Sequence, residues 1–197
     1  MAKIDEEADP DTLSGLGGRI RSLRAERSLT LASLSLKSQI SVGMLSHIER
    51  GKASPSIKTL DRLRIALGVP LASFFDTGPS RSAQESVVTR AGKRPTLSFS
   101  NFGLIKELLS PPGHSDLELL MLSIDVGGSS GPDPWRRAGE KGGIVLEGRL
   151  ELQVAEQIYV LEMGDAFQFD SSQPHTFRNL AETTTRVVWV IKSSEAG

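Results

Sequence analysis

The stretch from residue 41 to residue 51 carries the side chains best suited to contacting a partner. It reads Ser-Val-Gly-Met-Leu-Ser-His-Ile-Glu-Arg-Gly, which predicts a short helix capped by Ser41 and ended by Gly51. Leu45 and Ile48 form its inward face. The outward face offers small or hydrogen-bonding groups with little acid among them, namely Val42, Gly43, Ser46, His47 and Arg50. Such a helix, placed second in a helix-turn-helix, fits the major groove of DNA and touches base edges with its first turns.

That helix needs a scaffold, and the flanking residues predict one. Apolar residues recur every three or four positions on both sides of it, as in helices with one buried face. Thr30 caps a second helix, a fourth helix starts at Ser54–Ser56, and Gly68 with Pro70 ends it. The expected core positions of these other helices are Leu16, Ile20, Leu23, Leu31, Leu34, Leu36, Ile57, Leu60, Leu63, Ala66, Leu67, Leu71, Phe74 and Phe75. We therefore expect an all-α, five-helix domain over residues 12–76.

Charge divides the chain unevenly. Residues 12–75 hold ten Lys and Arg against three Asp and Glu, a net charge of +7, whereas residues 77–197 hold 12 basic and 15 acidic residues, a net charge of −3. The overall net charge of −1 hides this asymmetry. A basic module joined to an acidic one suggests a polyanionic partner for the first module alone. Residues 1–11, with five acids and no apolar period, predict a disordered acidic tail.

Three blocks of the basic module occur in order at the spacing of a known family. They are Arg19–Arg24, Leu45–Ser56 and Leu67–Leu71. With them, residues 13–76 resemble the phage-repressor-like (Xre-type) helix-turn-helix regulators. The resemblance implies binding to a double-stranded DNA operator. It places Val42, Gly43 and His47 at base edges, and Ser41, Ser46, Arg50 and Lys52 nearer the phosphates.

Two positions depart from that family's pattern. Leu31 stands where the second helix usually begins with glutamine, which puts one phosphate contact in doubt. Gln39 stands where the turn usually holds glycine, so it must adopt a positive φ or distort the turn. Glu49 is expected to be structural, tied to Arg50 or to a backbone amide, because an acid facing DNA would repel it.

Beyond residue 92 the apolar period changes from 3.6 to 2, which is typical of strands. The expected strands span residues 96–100, 104–109, 117–126, 143–146, 149–154, 157–161, 166–169 and 186–191. Turn signals separate them at Gly127-Gly128, Gly142-Gly143, Gly148 and Gly164-Asp165. Many short strands with glycine turns predict a sandwich or barrel. Residues 77–92, rich in Ser, Gly, Arg and Pro, are the expected linker.

Three blocks within this second half, Gly143–Gly148, Tyr159–Phe167 and Pro174–Asn179, resemble the two sequence motifs of the cupins. The resemblance covers residues 93–192. It implies an all-β cupin barrel (a double-stranded β-helix) that serves as a sensor or dimerisation domain, with expected bounds of 93–194. The chain is thus expected to be multidomain, a helix-turn-helix domain followed by a cupin domain.

The cupin resemblance also identifies where a metal ion would bind. Metal-bearing cupins use two histidines and a glutamate from the first motif, at positions held here by Trp135, Arg137 and Lys141, and one histidine from the second, His175. Arginine and lysine are cationic near neutral pH, and tryptophan offers no lone pair in the ring plane. One imidazole cannot hold a divalent ion in a defined geometry. We expect no bound metal and no cofactor.

What replaces those ligands suggests a different site. Arg137 and Lys141 bring positive charge toward the barrel mouth, where an anion such as a carboxylate would be favoured. They could equally be solvated loop charges. His175 could be a pocket residue or a core histidine bound by backbone, and Trp189 is expected in the core. The expected ligand-binding residues are Arg137, Lys141, His175, Trp135 and Gln168.

Composition excludes several other classes of protein. The 197 residues contain no cysteine, which excludes disulfides, thiolate metal sites and a thiol nucleophile. No apolar run has the length of a membrane span and no basic-then-apolar leader opens the chain, so we expect a cytoplasmic protein without a membrane partner.

The leading hypothesis is a transcription regulator, not an enzyme, that binds its operator as a homodimer while the barrel senses a small-molecule effector. Two alternatives remain open at this point. One is a cupin enzyme with a vestigial helix-turn-helix domain, using a pair such as His175 with Glu118 or Tyr159. The other is a ligand-independent repressor whose cupin only dimerises.

Overall fold

The computed structural model describes residues 10–69, 71–75, 87–111 and 116–193. The chain forms two compact units, residues 1–76 and 77–197. Residues 1–9 of the expected acidic tail, the expected helix stop at residue 70 and residues 77–86 of the expected linker lie outside the described residues.

The described part of the first unit contains four α-helices. They are α1 (Pro10–Glu26), α2 (Leu31–Ser38), α3 (Val42–Glu49) and α4 (Ile57–Leu67). The expected fifth helix is a short 3-10 helix, Leu71–Phe74. Helix α1 begins two residues inside the expected tail, at a proline whose fixed φ suits a first helical position. The predicted caps Thr30 and Ser41 are confirmed, since each hydroxyl oxygen accepts a hydrogen bond from the amide three residues on.

Helices α1 and α3 pack so closely that one position between them must be glycine. A Cβ on Gly17 would overlap the carbonyl oxygen of Ile48 and press on the backbone of Glu49. On the same side of α3, the Arg24 guanidinium donates hydrogen bonds to both carboxylate oxygens of Glu49, at 2.6 and 2.8 Å. These hydrogen bonds raise the pKa of Arg24. Glu49 is therefore structural, with Arg24 as its partner instead of Arg50.

The turn between α2 and α3 keeps its geometry without glycine. Gln39 adopts the left-handed conformation at φ 54° and ψ 33°, and Arg62 donates to its carbonyl oxygen at 2.8 Å and to its side-chain oxygen at 3.2 Å. The expectation that Leu36 joins the core is wrong. Leu34 and Ser38 define the buried face of α2. Leu36 lies midway between them in sequence and so points to the opposite side of the helix, where it is 83% exposed.

The second unit contains nine strands within its described residues. They are β1 (Thr96–Phe99), β2 (Leu104–Leu108), β3 (Leu117–Ile124), β4 (Gly139–Glu147), β5 (Arg149–Val154), β6 (Gln157–Glu162), β7 (Ala166–Asp170), β8 (His175–Asn179) and β9 (Thr185–Ser193). Six of them form a sheet in the order β1-β2-β3-β9-β4-β7, and three form a sheet in the order β6-β5-β8. The alternating pattern places large side chains of both sheets inside, Trp189 among them at 2% exposure.

Two details of the second unit differ from the sequence expectation. Gly142 and Gly143 are not a turn but lie inside β4. A Cβ on Gly143 would overlap the Phe167 ring and the carbonyl oxygen of Val188, so the strand packs too closely there for a side chain. Strand β8 was not expected, since its five residues carry only one large apolar side chain, Phe177.

Strand β6 is exposed on both of its faces. Tyr159 on β6 pairs with Leu152 on β5 and so faces the same side of the sheet. Leu152 is 2% exposed, whereas Tyr159 is 49% exposed. Strands β6 and β7 each lie at a sheet edge. The side of β6 that Tyr159 shares with the buried Leu152 is therefore left uncovered at the edge of its sheet.

Candidate functional site

Helix α3 presents the face that the sequence predicts. Leu45 and Ile48 are buried at 0% and 2% exposure. Val42, Gly43 and His47 are exposed on the other side. Ser41, which caps the helix, is exposed at its start. Met44 is also exposed here, at 49%, although sequence reasoning left it out of this face.

Of the residues expected nearer the phosphates, Ser41 caps the start of α3, Ser46 lies within it, and Arg50 and Lys52 follow its last residue. Ser46 is partly buried, whereas Arg50 and Lys52 are exposed. The backbone amide of Lys52 donates to the carbonyl oxygen of His47 at 2.8 Å. The helix therefore ends with two cations exposed just beyond its histidine.

Arginines of α1 hold the helices together. Arg24 is bound to Glu49, and the Arg19 Nε donates to the Ser73 carbonyl oxygen at 2.8 Å. Arg19 and Arg27 also lie 3.6 and 3.8 Å from the carboxylate of Glu26. These contacts engage Arg19, Arg24 and Arg27 within the helical unit.

Inside the barrel, Lys141 and His175 form a buried pair. Lys141 is 4% and His175 1% exposed, and the Lys141 Nζ lies 2.7 Å from the His175 Nε2. The His175 Nδ1 lies 2.9 Å from the carbonyl oxygen of Gln173. A carbonyl can only accept, so Nδ1 carries the proton, Nε2 is the acceptor, and Lys141 donates to it. From the sequence, His175 could be either a pocket residue or a core histidine bound by backbone. In the structure it contacts both a backbone carbonyl and the side chain of Lys141.

The surroundings of His175 keep its imidazole neutral. Burial, and after it the charge of Lys141, lowers the pKa of His175 from 6.5 to about 4, and Lys106 adds a smaller effect in the same direction. The carbonyl of Gln173 acts the other way but does not compensate. Rings of Trp135 and Phe169 lie edge-on to the imidazole, at centroid distances of 6.1 and 4.9 Å.

The ring of Trp135 contacts two lysines at this site. Its backbone pairs with that of His175 through two hydrogen bonds of 2.9 and 3.0 Å, which fixes its ring over the cluster. The Nζ atoms of Lys106 and Lys141 lie 4.5 and 5.3 Å from the ring centroid, within the range of cation–π attraction. Lys106 is 3% exposed. Sequence reasoning missed it, although its place between Leu104 and Leu108 puts it on the inward face of β2.

Arg137 forms a second buried contact beside this pair. Its Nη1 donates to the Glu118 carboxylate at 3.1 Å, and its Nη2 donates to the Ser193 hydroxyl at 2.5 Å. The side chains of Arg137 and Glu118 are 8% and 4% exposed. The guanidinium expected to bind a ligand carboxylate is thus already engaged with one of the protein's own.

The charge of the cluster is strongly one-sided. Among the described residues it comprises three buried cations, Lys106, Arg137 and Lys141, against one buried carboxylate, Glu118, and His175 is neutral. Gln168, expected at this site, pairs with Gly142 and lies on the exposed outer side of β7. Cations held in a low-dielectric interior attract an anion more strongly than solvated cations do.

The residues present do not fit a metal ion. Of the four side chains at the positions that hold the ion in metal-bearing cupins, His175 alone has a lone pair to give, and its Nε2 faces the Lys141 amine. The part of the chain that the structure describes has no group of three His, Cys, Asp or Glu residues placed to bind a metal ion.

The acid–base pairs weighed from sequence are not formed as pairs. Glu118 is bound to Arg137, and the neutral His175 is bound to Lys141. Tyr159 is half exposed on the edge strand β6.

Within the described ranges, no helix combines the length and the apolar character needed to cross a membrane.

Comparison with known proteins assigns both units. Residues 20–74 match the family described as Helix-turn-helix, and residues 120–191 match the Cupin domain. The chain is 24% identical to the HTH-type transcriptional regulator PuuR of Escherichia coli, over 87% of this chain and 91% of that protein. It is 27% identical to the HTH-type transcriptional regulator SutR of Escherichia coli, over 86% and 89%. The fold is similar to the crystal structure of an HTH_3 family transcriptional regulator from Vibrio cholerae, with a TM-score of 0.72, 24% identity, and coverage of 95% and 100%.

Proposed function

Because this chain belongs to the helix-turn-helix (Xre-type) transcriptional regulators that carry a C-terminal cupin domain, we propose that it binds a specific operator as a homodimer and that a small anion inside the barrel controls this binding. The observation that carries the DNA-binding part is the exposed face of α3, whose opposite face anchors it to the scaffold. Val42, Gly43 and His47 contact base edges, and Arg50 and Lys52 contact phosphates.

Dimerisation follows from the size of the DNA-reading module. A single α3 offers two turns of helix to the groove, and one module of this size gives modest affinity. Two linked modules gain from their high effective concentration. The operator is then a pair of half-sites about 10 base pairs apart, or a multiple of that distance.

The effector part is supported by the buried charge in the barrel. Lys106 and Lys141 each lie over the Trp135 ring, while Arg137 is paired with Glu118. An anion with an apolar body satisfies both the cations and the aromatic walls. Its binding shifts the population of the form that binds DNA.

To test DNA recognition, the full-length protein first selects a preferred duplex from a random pool. Its affinity for that duplex is then measured by titration at several salt concentrations. We expect affinity to fall steeply with salt through counterion release. His47→Ala costs about 1–3 kcal/mol at one or two base positions and relaxes preference there. Lys52→Ala weakens all duplexes nearly equally and lowers the salt slope by about 1.

Lys192→Ala, on an exposed position of the barrel unit, is the matched control and leaves both preference and salt slope unchanged. Equal affinity for the selected duplex and for its scrambled version would refute sequence-specific recognition. A one-half-site footprint and a monomeric mass in solution would refute the dimer.

The effector is tested with two probes of equal length and opposite charge, glutarate and 1,5-diaminopentane. Glutarate is expected to raise the melting temperature of the barrel unit, since a ligand at about 100 times its Kd stabilises by about 2.7 kcal/mol. The diamine is expected to have no effect. Stabilisation by the diamine alone contradicts an anion site, and no response to a wider panel of organic acids favours a barrel that only dimerises.

A further inference from the structure

Strand β6 ends its sheet with an apolar edge. Within the described residues it pairs with β5 alone, and Ile158, Tyr159 and Val160 on it are 60%, 49% and 45% exposed. Soluble proteins ordinarily protect such an edge with lysine, proline or a bulge. Residues 157–161 contain no charged residue and no proline, and their pairing with β5 has no register shift. An edge of this kind is suited to pairing with another strand.

Hydrogen bonds around β5 show which backbone groups of β6 point outward. The carbonyl oxygen of Arg149 and the amide of Ala155, at the two ends of β5, both bond to residues next to β8. Alternate residues of a strand point their backbone groups in opposite directions, so the even-numbered residues of β5 bond toward β6. Their partners on β6 are odd-numbered, Tyr159 among them. The N–H and C=O groups of Ile158 and Val160 therefore point away from β5, to the open side.

This open stretch is closed off at both ends. The amide of Glu162 donates to the Asp165 carboxylate at 2.8 Å, and the carbonyl oxygen of Glu162 accepts from the amide of Asp165 at 3.0 Å. At the other end, Gln157 closes the turn from β5. Two residues with outward backbone groups lie between these ends, and Tyr159 is midway between them.

A twofold axis through Tyr159 satisfies all four of these backbone groups. In an antiparallel pair, two opposed residues exchange both hydrogen bonds, and the pair next to them exchanges none. With Tyr159 opposite the partner's Tyr159, Ile158 lies opposite the partner's Val160, and the same exchange is repeated across the axis. We infer that the homodimer forms by antiparallel pairing of β6 with β6 of a second copy, which joins the two three-stranded sheets into one of six strands. The inference rests on the proposed homodimer and names its interface.

The side chains match in the same register. Ile158 and the partner's Val160 form a β-branched cross-strand pair, and the two copies of Tyr159 form an aromatic one. At each end the partner's Glu156 lies opposite Glu162, where the Arg149 Nε is already 2.8 Å from the Glu162 carboxylate and supplies a cation between two acids. A twofold interface uses one patch twice, so complementarity at one end is repeated at the other.

The edge of the other sheet is less suited to this pairing. The exposed positions of β7 are Ala166, Gln168 and Asp170, which offer little apolar surface and one charge. Beside β6, in contrast, Met163 is 71% exposed immediately after the strand and extends its apolar surface. The choice of edge therefore favours β6.

A single thiol tests the register directly, because the chain has no cysteine. Full-length Tyr159→Cys protein is oxidised with copper phenanthroline. Opposed residues of a non-hydrogen-bonded pair have Cα atoms about 4.5 Å apart, within the range of a disulfide. We expect cross-linking at least about tenfold faster than in Val126→Cys, a control at another exposed position of the barrel unit. Ile158→Cys alone cross-links poorly, but it cross-links when mixed with Val160→Cys.

A proline tests the backbone pairing. Val160→Pro removes one outward N–H and leaves the bonds to β5 in place. The twofold axis makes this a loss of two hydrogen bonds, so we expect the dissociation constant of the dimer to rise at least about tenfold. Sedimentation velocity over a concentration series measures it. Val160→Thr, which keeps the N–H and the branched shape, is the control and leaves the constant nearly unchanged.

Hydrogen exchange of the wild-type protein requires no substitution. The amides of Ile158 and Val160 should exchange more slowly as the dimer forms on raising the protein concentration. Slow exchange of both amides in a monomer would mean that another segment of the same chain covers the edge, and it would overturn the inference.

The outcomes separate the interface from the dimer itself. A dimeric mass, with no Tyr159→Cys cross-link and an unchanged dissociation constant for Val160→Pro, overturns pairing at β6 and assigns the homodimer to another surface. A protein that stays monomeric at every concentration, with or without a duplex carrying two half-sites, refutes the homodimer and its interface together.

Discussion

The two histidines that the structure describes have opposite environments. His47 is exposed on α3, at the surface of the basic helical unit, whereas His175 is 1% exposed inside the acidic barrel unit, between Lys141 and the Gln173 carbonyl. The same ring is thus a solvated hydrogen-bonding group in one unit and a desolvated, neutral acceptor in the other. His114 lies outside the described residues.

The same contrast holds for the cations. In the helical unit Arg50 and Lys52 are exposed. Their contribution to the free energy of DNA binding comes from the release of counterions and depends on salt. In the barrel Lys106 and Lys141 are buried. Their effect on stability depends on the cost of removing them from water and on the groups that compensate their charge. Net charge alone, +7 for residues 12–75 and −3 for residues 77–197, therefore gives no sign of the anion site that we propose in the barrel.

The largest expected effect comes from breaking the buried ion pair. Glu118→Gln leaves the Arg137 guanidinium, 8% exposed, without its carboxylate, and we expect a loss of about 3–5 kcal/mol in the free energy of unfolding. Urea denaturation measures it. Glu151→Gln is the control, because its partner Arg178 is 60% exposed and a solvated pair contributes less than about 1 kcal/mol. Equal losses in the two variants would contradict a desolvated interior.

The next effect is a pH dependence of stability. The pKa of His175 is lowered to about 4 in the folded barrel from 6.5, so the unfolded chain binds more protons between these values. Stability from this group is present above pH 6.5 and is lost as the pH falls toward 4, by about 3 kcal/mol in total. The groups facing it are Lys141, Lys106, Trp135 and Phe169.

Denaturation midpoints measured from pH 4 to pH 7 test this pH dependence. The His175→Gln variant retains the titration of all carboxylates but lacks that of the imidazole, so its stability should change less over the same range. If the free energy of unfolding of His175→Gln changed with pH as steeply as that of the wild-type protein, the imidazole would not titrate between pH 4 and pH 7.

The smallest effect separates two adjacent glycines of the helical unit. Gly17→Ala forces a Cβ against the backbone of α3, and we expect it to destabilise by about 1–3 kcal/mol and to weaken DNA binding by displacing α3. Gly18→Ala is the control, since nothing lies within 4 Å of its Cβ. It should stabilise by about 0.5–1 kcal/mol through a better helix former. Circular dichroism during denaturation measures both, and a neutral Gly17→Ala would refute the close approach.

Local signals made the helical unit predictable. A capping serine, two apolar residues three positions apart and a glycine stop are sufficient to locate α3, and the structure confirms the inward Leu45 and Ile48. Gly17 gave no signal, because its role depends on a helix about thirty positions away. Leu36 was misplaced because two leucines at a spacing of two cannot share a helical face.

The barrel cluster was predictable only in part. Trp135, Lys141 and His175 converge as expected from the cupin resemblance. Lys106 was missed because a lysine in a strand is ordinarily assigned to solvent, and its burial depends on a ring supplied by a distant loop. Gln168 was misplaced because a register error of one residue reverses the face of every side chain in a strand.

Trp135 and Trp189 are the only tryptophans in the chain, and its single tyrosine is Tyr159. Trp135 stands over two amines and against an imidazole, and Trp189 packs on Phe177, which also contacts Trp135. Tryptophan and tyrosine fluorescence therefore originates in the barrel unit, because the helical unit contains neither residue. The intrinsic fluorescence of the unlabelled protein therefore reports on the environment inside the barrel. A change in its wavelength or intensity on adding operator DNA would show that DNA binding at the helical unit alters the barrel unit.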